Sequence, residues 1–147
     1  MKPVRAKRSL GQNFLIDRSV TARIASAAGI RAGETVIEVG PGRGALTGLL
    51  REKADQLICV EKDDALAEEL RLRFAGDPGA ALVHGDMLDL VASDMPFDGP
   101  FRVVANLPYN VAGRITMHLL ERWHGQVLGA TLMFQREVAQ RIAAPAG

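Results

Sequence analysis

Five short apolar runs, separated by amphipathic segments, are the feature that most constrains how this chain can fold. They occupy residues 35–39, 56–60, 81–84, 101–105 and 130–134. The runs are mostly continuous rather than alternating, which is typical of strands buried on both faces. Because the intervals between them leave room for a helix, we predict right-handed βαβ units and a mostly parallel sheet of Rossmann-like α/β class.

The segments between the runs have helical patterning. We predict helices over residues 18–28, 63–74 and 114–123. In the second, Leu66, Leu70 and Phe74 recur at intervals of four and share one face. Asp17 is a candidate N-cap for the first helix, which we expect to end at Gly29.

Charge is distributed unevenly along the 147 residues, although the formal net charge is only +1. Residues 1–23 contain six basic residues against Asp17 alone, so the rest of the chain is acidic. This asymmetry indicates an anionic partner such as RNA, with a solvated N-terminus as the alternative. No apolar run reaches the roughly 18 residues of a membrane helix, and the single Cys59 excludes a disulfide framework. We therefore expect a cytoplasmic protein without a membrane or metal partner.

A glycine-rich turn follows the first predicted strand, where Gly40, Gly42 and Gly44 alternate with other residues. Glycine permits a positive φ and a close approach of the backbone to a ligand. The spacing matches neither a Walker A loop nor a dinucleotide fingerprint. Glu38, two residues before the turn, would repel a pyrophosphate and suits a ligand with a cationic end. A plain strand–helix connection is the alternative interpretation.

Acidic residues follow the next two strands. Glu61, at the end of the second, can accept hydrogen bonds from both hydroxyls of a ribose. Asp63 or Asp64 would cap the following helix. Asp86 can accept from the exocyclic amine of an adenine with Met87 against the ring, although a Gly-Asp pair is more often a simple turn. Together these sites indicate S-adenosylmethionine rather than a dinucleotide.

The fourth strand is followed by Asn106-Leu107-Pro108-Tyr109. The Asn106 amide oxygen and the Leu107 carbonyl are acceptors for the two hydrogens of an aromatic amine, and Pro108 restricts the backbone between them and Tyr109. The Tyr109 ring offers a stacking surface for a base. A strand–proline turn is the alternative for this segment taken alone.

Six segments together resemble one known family, the ribosomal RNA adenine dimethyltransferases, which include the kasugamycin- and erythromycin-resistance methylases. The segments are residues 11–15, 36–47, 60–63, 85–86, 106–110 and 134–138. Residues 11–15 (GQNFL) and 106–110 (NLPYN) look more like the small-subunit branch than the antibiotic-resistance branch, which acts on the large subunit.

The resemblance implies transfer of methyl groups from S-adenosylmethionine to the amines of two adjacent adenines in small-subunit rRNA. The cofactor-binding residues that it implies are Asn13, Leu15, Gly40, Glu61, Asp86 and Asn106. The catalytic residues that it implies are Asn106, Leu107, Pro108 and Tyr109. It implies a monomer for the full-length family, leaves the oligomeric state of this chain open, and calls for no metal ion.

The resemblance further predicts how the chain is organised. Residues 1–16 form a basic arm whose end covers the cofactor, and residues 17–147 form a partial methyltransferase domain. The last strands of the sheet and the helical domain of the family are expected to be absent from the 147 residues. A non-catalytic RNA-binding module, a large-subunit rRNA methylase and a small-molecule methyltransferase are the alternative functions.

Overall fold

A computed structural model describes residues 18–106, 111–123 and 125–133. Five strands and four α-helices alternate in this part of the chain. The strands are β1 (Thr35–Val39), β2 (Gln56–Glu61), β3 (Ala80–His84), β4 (Phe101–Asn106) and β5 (Val127–Met133). The helices are α1 (Arg18–Ala27), α2 (Thr47–Lys53), α3 (Asp64–Arg73) and α4 (Ala112–Arg122). The predicted α/β class is therefore confirmed.

The five strands form one parallel sheet with the order β3-β2-β1-β4-β5. Strand order reverses between β1 and β4, so a crevice opens at the carboxyl ends of these two central strands. In the register, Val39 of β1 lies opposite Val60 of β2 and Ala105 of β4. The residues that follow these positions therefore share one edge of the sheet.

Two hydrophobic cores cover the two faces of the sheet. On one face, α1 and α2 pack through Ile24 and Leu50 onto Val36. On the other, α4 packs through Ile115 and Leu119 onto a core that also contains Trp123. Both faces are covered, which explains why the strand sequences are continuously apolar. Cys59 and Trp123 are both core residues, 0% and 2% exposed.

The predicted helices and strands are confirmed with shifts at their ends. β2 and β4 each extend one residue further, so Glu61 and Asn106 are the last residues of strands. Gly29 has a φ of 63°, which fits its predicted place after α1. Asp63 is the N-cap of α3 and accepts from the backbone N–H groups of Ala65 and Leu66. The proposed cap Asp17 lies outside the described residues.

β5 differs most from the prediction, because it begins at Val127 rather than at residue 130. The predicted run starts directly after Gly129. Gly129 lies within the strand, where a Cβ would come within 2.9 Å of Nη1 of Arg102. Arg102 in turn donates to Glu34 through Nε at 2.6 Å. Glycine thus makes room for a largely buried ion pair that holds β4 against the loop before β1.

Candidate functional site

The glycine turn lies at the carboxyl edge of the sheet, between β1 and α2. Gly40, Gly42 and Gly44 have φ values of 68°, 60° and 84°, so all three adopt the left-handed conformation that other residues rarely adopt. The Gly40 N–H donates to the Val60 carbonyl at 2.9 Å, which fixes the turn against the end of β2. Gly40 is exposed, whereas Gly42 and Gly44 are buried. The turn is therefore a tight connection that requires glycine, and binding of a ligand by it stays a prediction.

Glu61 lies directly beside this turn and is only 2% exposed. Its Oε2 accepts from the Lys62 N–H at 2.9 Å. Its Oε1 has no hydrogen-bond partner, the one such buried side-chain atom in the part of the chain that the structure describes. Burial raises the pKa of the Glu61 carboxyl, and N–H groups of Lys62, Asp63 and Gly42 offset part of that effect.

A buried carboxylate oxygen without a partner is costly unless a ligand supplies the hydrogen bond. The hydroxyls of a ribose are donors of the required kind. The residues present therefore fit the adenosine part of S-adenosylmethionine, with Glu61 as the acceptor for the ribose. This unsatisfied oxygen is an observation of the structure and is independent of the sequence pattern that first singled out Glu61.

Asp86 follows β3 and is placed close to Glu61, because the Gly85 N–H donates to the Glu61 carbonyl at 2.9 Å. Oδ1 of Asp86 caps a short 3-10 helix, Met87–Asp89, by accepting from the Leu88 N–H. Oδ2 lies 3.2 Å from Nζ of Lys62. Binding of an adenine amine by Asp86 stays a prediction, and the amine would share the carboxylate with Lys62.

Two expectations about side chains at this edge are wrong. Met87 was expected to lie against an adenine ring, but it is 2% exposed and packs into the core beneath α4. Glu38 was expected to face a cationic ligand, but unlike Glu61 it is bonded to side chains of α2 and β2. Its Oε1 accepts from the Thr47 hydroxyl at 2.6 Å and from the Cys59 thiol at 3.5 Å. Burial raises the pKa of the Glu38 carboxyl to about 7.

Asn106 is the last residue of β4 and is partly buried. The register pairs Ala105 with Val39, so Asn106 on β4 lies next to Gly40, the first residue after β1. The structure thus brings Gly40, Glu61, Asp86 and Asn106 to one edge. The other predicted site residues, namely Asn13, Leu15, Leu107, Pro108 and Tyr109, lie outside the described residues, as does segment 134–138.

Sequence reasoning missed two residues at this edge. The Thr47 hydroxyl donates to Glu38, and the sequence feature that could have identified it is its position at the start of the helix that follows the turn. Lys62 contacts Asp86, and the sequence feature that could have identified it is its place directly after the candidate ribose acceptor, Glu61. Among the described residues, no group of three or more His, Cys, Asp or Glu side chains is arranged to hold a metal ion. Within the same ranges, every helix is too short or too polar to cross a bilayer.

A parallel sheet of this order, with a glycine turn after β1 and an unsatisfied acid ending β2, defines a Rossmann-like methyltransferase domain of the S-adenosylmethionine-dependent class. The sequence profile described as "Ribosomal RNA adenine dimethylase" matches residues 4–147. The chain belongs to this family.

Among curated relatives, the chain is 46% identical over 147 residues to "Ribosomal RNA small subunit methyltransferase A" of Geobacter sulfurreducens. That match covers 98% of this chain and 53% of the relative. The chain thus spans about half the length of the curated relatives it matches.

Two solved structures are also similar. The 23S rRNA methyltransferase ErmE has a TM-score of 0.77 and 37% identity, covering 87% of this chain and 50% of that one. A dimethyladenosine transferase from Plasmodium falciparum has a TM-score of 0.75 and 28% identity, covering 90% and 47% respectively.

Proposed function

We propose that this chain carries the cofactor-binding and catalytic part of an rRNA adenine dimethyltransferase. Its substrate would be two adjacent adenines in the RNA of the small ribosomal subunit. The single observation that carries the proposal is the meeting of Gly40, Glu61, Asp86 and Asn106 at one edge of the sheet. The curated relatives are small-subunit rRNA methyltransferases by name, which supports the choice of subunit.

S-adenosylmethionine, when bound, supplies an electrophilic methyl group on a sulfonium centre. The part of this chain is to hold that donor and the accepting amine in line. Glu61 would accept from the ribose through Oε1, the atom that lacks a partner, and Asp86 would accept from the adenine amine of the cofactor. Held in this way, the donor is fixed relative to β4, and such positioning lowers the entropic part of the barrier.

Asn106 would act on the substrate adenine. Support comes from its position at the end of β4, next to the glycine turn. An acceptor that holds the N–H of the target amine leaves the nitrogen lone pair directed at the methyl group. The proposal extends to Leu107, Pro108 and Tyr109 through the family resemblance, with Tyr109 as the stacking surface for the target base.

The RNA partner, the cytoplasmic location and the covering role of Asn13 and Leu15 are parts of the same proposal. Support for an RNA partner comes from the six basic residues in segment 1–23. Phosphate contacts by such an arm predict a binding constant that falls steeply with salt.

A large-subunit substrate is a second candidate, favoured by the similarity to the 23S rRNA methyltransferase ErmE. Methyl transfer from tritiated S-adenosylmethionine to purified ribosomal subunits that lack the marks distinguishes the two. We expect label in the small-subunit RNA and none in the large-subunit RNA. Label confined to the large subunit would establish the second candidate instead.

The role of Asn106 is tested in the same assay with Asn106→Ala. Loss of a group that acts mainly in the transition state lowers the rate by about 100-fold or more. Gln126→Ala is the matched control, because it removes an exposed amide side chain near the opposite edge of the sheet. Equal rates for Asn106→Ala and the control would contradict the catalytic assignment.

A further inference from the structure

A buried polar cluster lies beneath the glycine turn and is left unexplained by the cofactor contacts proposed above. It consists of Glu38 on β1, Thr47 at the start of α2, and Cys59 on β2, which are 2%, 1% and 0% exposed. Glu38 and Cys59 are register partners on adjacent strands. Oε1 of Glu38 accepts from Oγ1 of Thr47 at 2.6 Å and from Sγ of Cys59 at 3.5 Å.

The direction of the Glu38 side chain follows from strand geometry. Alternate side chains of β1 point to opposite faces, and Val36 belongs to the core beneath α1 and α2. Glu38 is two residues further on and points to the same face, under α2. It therefore meets the helix that follows the turn rather than the ligand surface above it.

The Glu38–Thr47 bond closes the turn. The two residues are nine apart in sequence, and the turn glycines lie between them. The N-cap residue of α2, Leu46, makes no side-chain capping hydrogen bond. The Thr47 hydroxyl thus provides a link between the start of α2 and β1 that an ordinary cap does not provide here.

A second contact holds the turn from α3. Nη1 of Arg73 lies 3.4 Å from the Gly44 carbonyl, and a Cβ on Gly44 would come within 2.2 Å of the same nitrogen. The charged groups that act on Glu38 are Arg73, which favours its ionised form, and Glu61, which opposes it. The turn is thus fixed from β1, from β2 and from α3, with Glu38 at the centre.

We propose that Glu38 and Thr47 are positioning residues for the methyl donor, and that their buried hydrogen bond sets the geometry of the glycine turn that binds it. The bond fixes how far the start of α2 stands from the end of β1, and hence where the backbone of Gly40 to Gly44 lies. This inference rests on the proposed function, because it assumes that the methyl donor binds at the glycine turn.

Calorimetric titration of the whole chain with S-adenosylhomocysteine tests this role. Thr47→Val keeps the shape of the side chain and removes the hydroxyl. Without this bond the turn of the free variant relaxes, and restoring its bound geometry on binding costs free energy, so we expect the dissociation constant to rise about tenfold. Thr47→Ser keeps the hydroxyl and should restore binding to within about threefold of wild type. Thr47→Ala removes the same hydroxyl and replaces Thr47→Val if that variant does not fold.

A control separates positioning from general loss of stability. Leu50→Val shortens a fully buried side chain on the same helix and leaves the Glu38–Thr47 bond in place. It should lower the melting temperature and leave the dissociation constant within about threefold of wild type. Equal weakening of binding by Leu50→Val and Thr47→Val would overturn the positioning role.

Glu38→Gln separates positioning from direct contact with the ligand. The glutamine amide keeps an acceptor for the Thr47 hydroxyl, so it should weaken binding less than Thr47→Val does. The reverse order would show that Glu38 touches the ligand itself and would overturn the inference. No binding by the wild-type chain contradicts the proposed function, whereas binding unchanged in Thr47→Val contradicts the positioning role alone.

Discussion

Glu38 is a buried carboxyl in the centre of the sheet, and it predicts how the stability of the chain depends on pH. Its pKa rises from 4.5 to about 7 because burial disfavours the charged form, while the bonds from Thr47 and Cys59 and the charge of Arg73 limit the rise. A carboxyl whose pKa is raised on folding stabilises the folded state below its unfolded pKa. That stability is lost as the pH increases through the folded pKa.

Glu38→Gln isolates this effect, since the variant has no carboxyl at this position. Relative to wild type, its free energy of unfolding should increase by about 2 to 3 kcal/mol between pH 5 and pH 8, given the two pKa values. The absolute difference at any one pH also includes the weaker bond from Thr47 to an amide. That contribution is constant, so it does not affect how the difference in free energy of unfolding between the variant and wild type changes with pH. This change with pH is therefore the quantity to measure.

Urea unfolding at several pH values provides the assay. Trp123, the only tryptophan, is 2% exposed, so its fluorescence reports loss of the core. Glu52→Gln removes an exposed carboxylate from α2, and this control should differ little from wild type at either pH. A difference between Glu38→Gln and wild type that stays constant from pH 5 to pH 8, with unchanged m-values, would refute the reasoning.

Three further predictions concern the frame that holds the site. Gly129→Ala forces the Arg102 guanidinium to move and should lower the free energy of unfolding by about 1 to 3 kcal/mol in urea titrations. A change within about 0.5 kcal/mol would show that Arg102 relocates at little cost. Asp63→Ala removes the cap of α3 and should cost about 1 kcal/mol by the same measurement, with no loss if water replaces the carboxylate. The guanidinium of Arg51 lowers the pKa of Asp77 to about 2, so the stability from this pair is present above pH 3.8 and is lost as the pH falls toward 2. Asp77→Asn should therefore make the free energy of unfolding depend less on pH in that interval. An unchanged dependence would contradict the pairing.

The sheet and the helices α1, α3 and α4 follow from the sequence because continuous apolar runs and four-residue spacing reflect burial directly, whereas no bounds were predicted for the seven-residue α2. β5 was placed too late, since a glycine within a strand indicates a break when the partner that requires it is unknown. That partner, Arg102, comes from the neighbouring strand and becomes apparent only once β4 and β5 are paired. The short 3-10 helices after β3 have too few residues to show a period.

At the site, residue types were more predictable than side-chain directions. Glu61 was singled out as a ribose acceptor, and the structure leaves its Oε1 unsatisfied at the expected edge. Glu38 was assigned to the ligand because it stands two residues before the glycine turn. β1 is apolar on both sides, and such a strand does not show which face a single polar residue occupies. The bond to Thr47, which decides the matter, depends on the path of the intervening glycine turn.

Whether Glu61 accepts from the ribose of the methyl donor is tested most directly by calorimetric titration with S-adenosylhomocysteine, comparing wild type with Glu61→Gln. The variant keeps the shape of the side chain and one acceptor but loses the charge and the unsatisfied Oε1. Loss of hydrogen bonds to a charged acceptor, about 1.5 to 3 kcal/mol each, predicts binding at least about tenfold weaker. Equal affinity of the two proteins would contradict the assignment of this edge as the cofactor site.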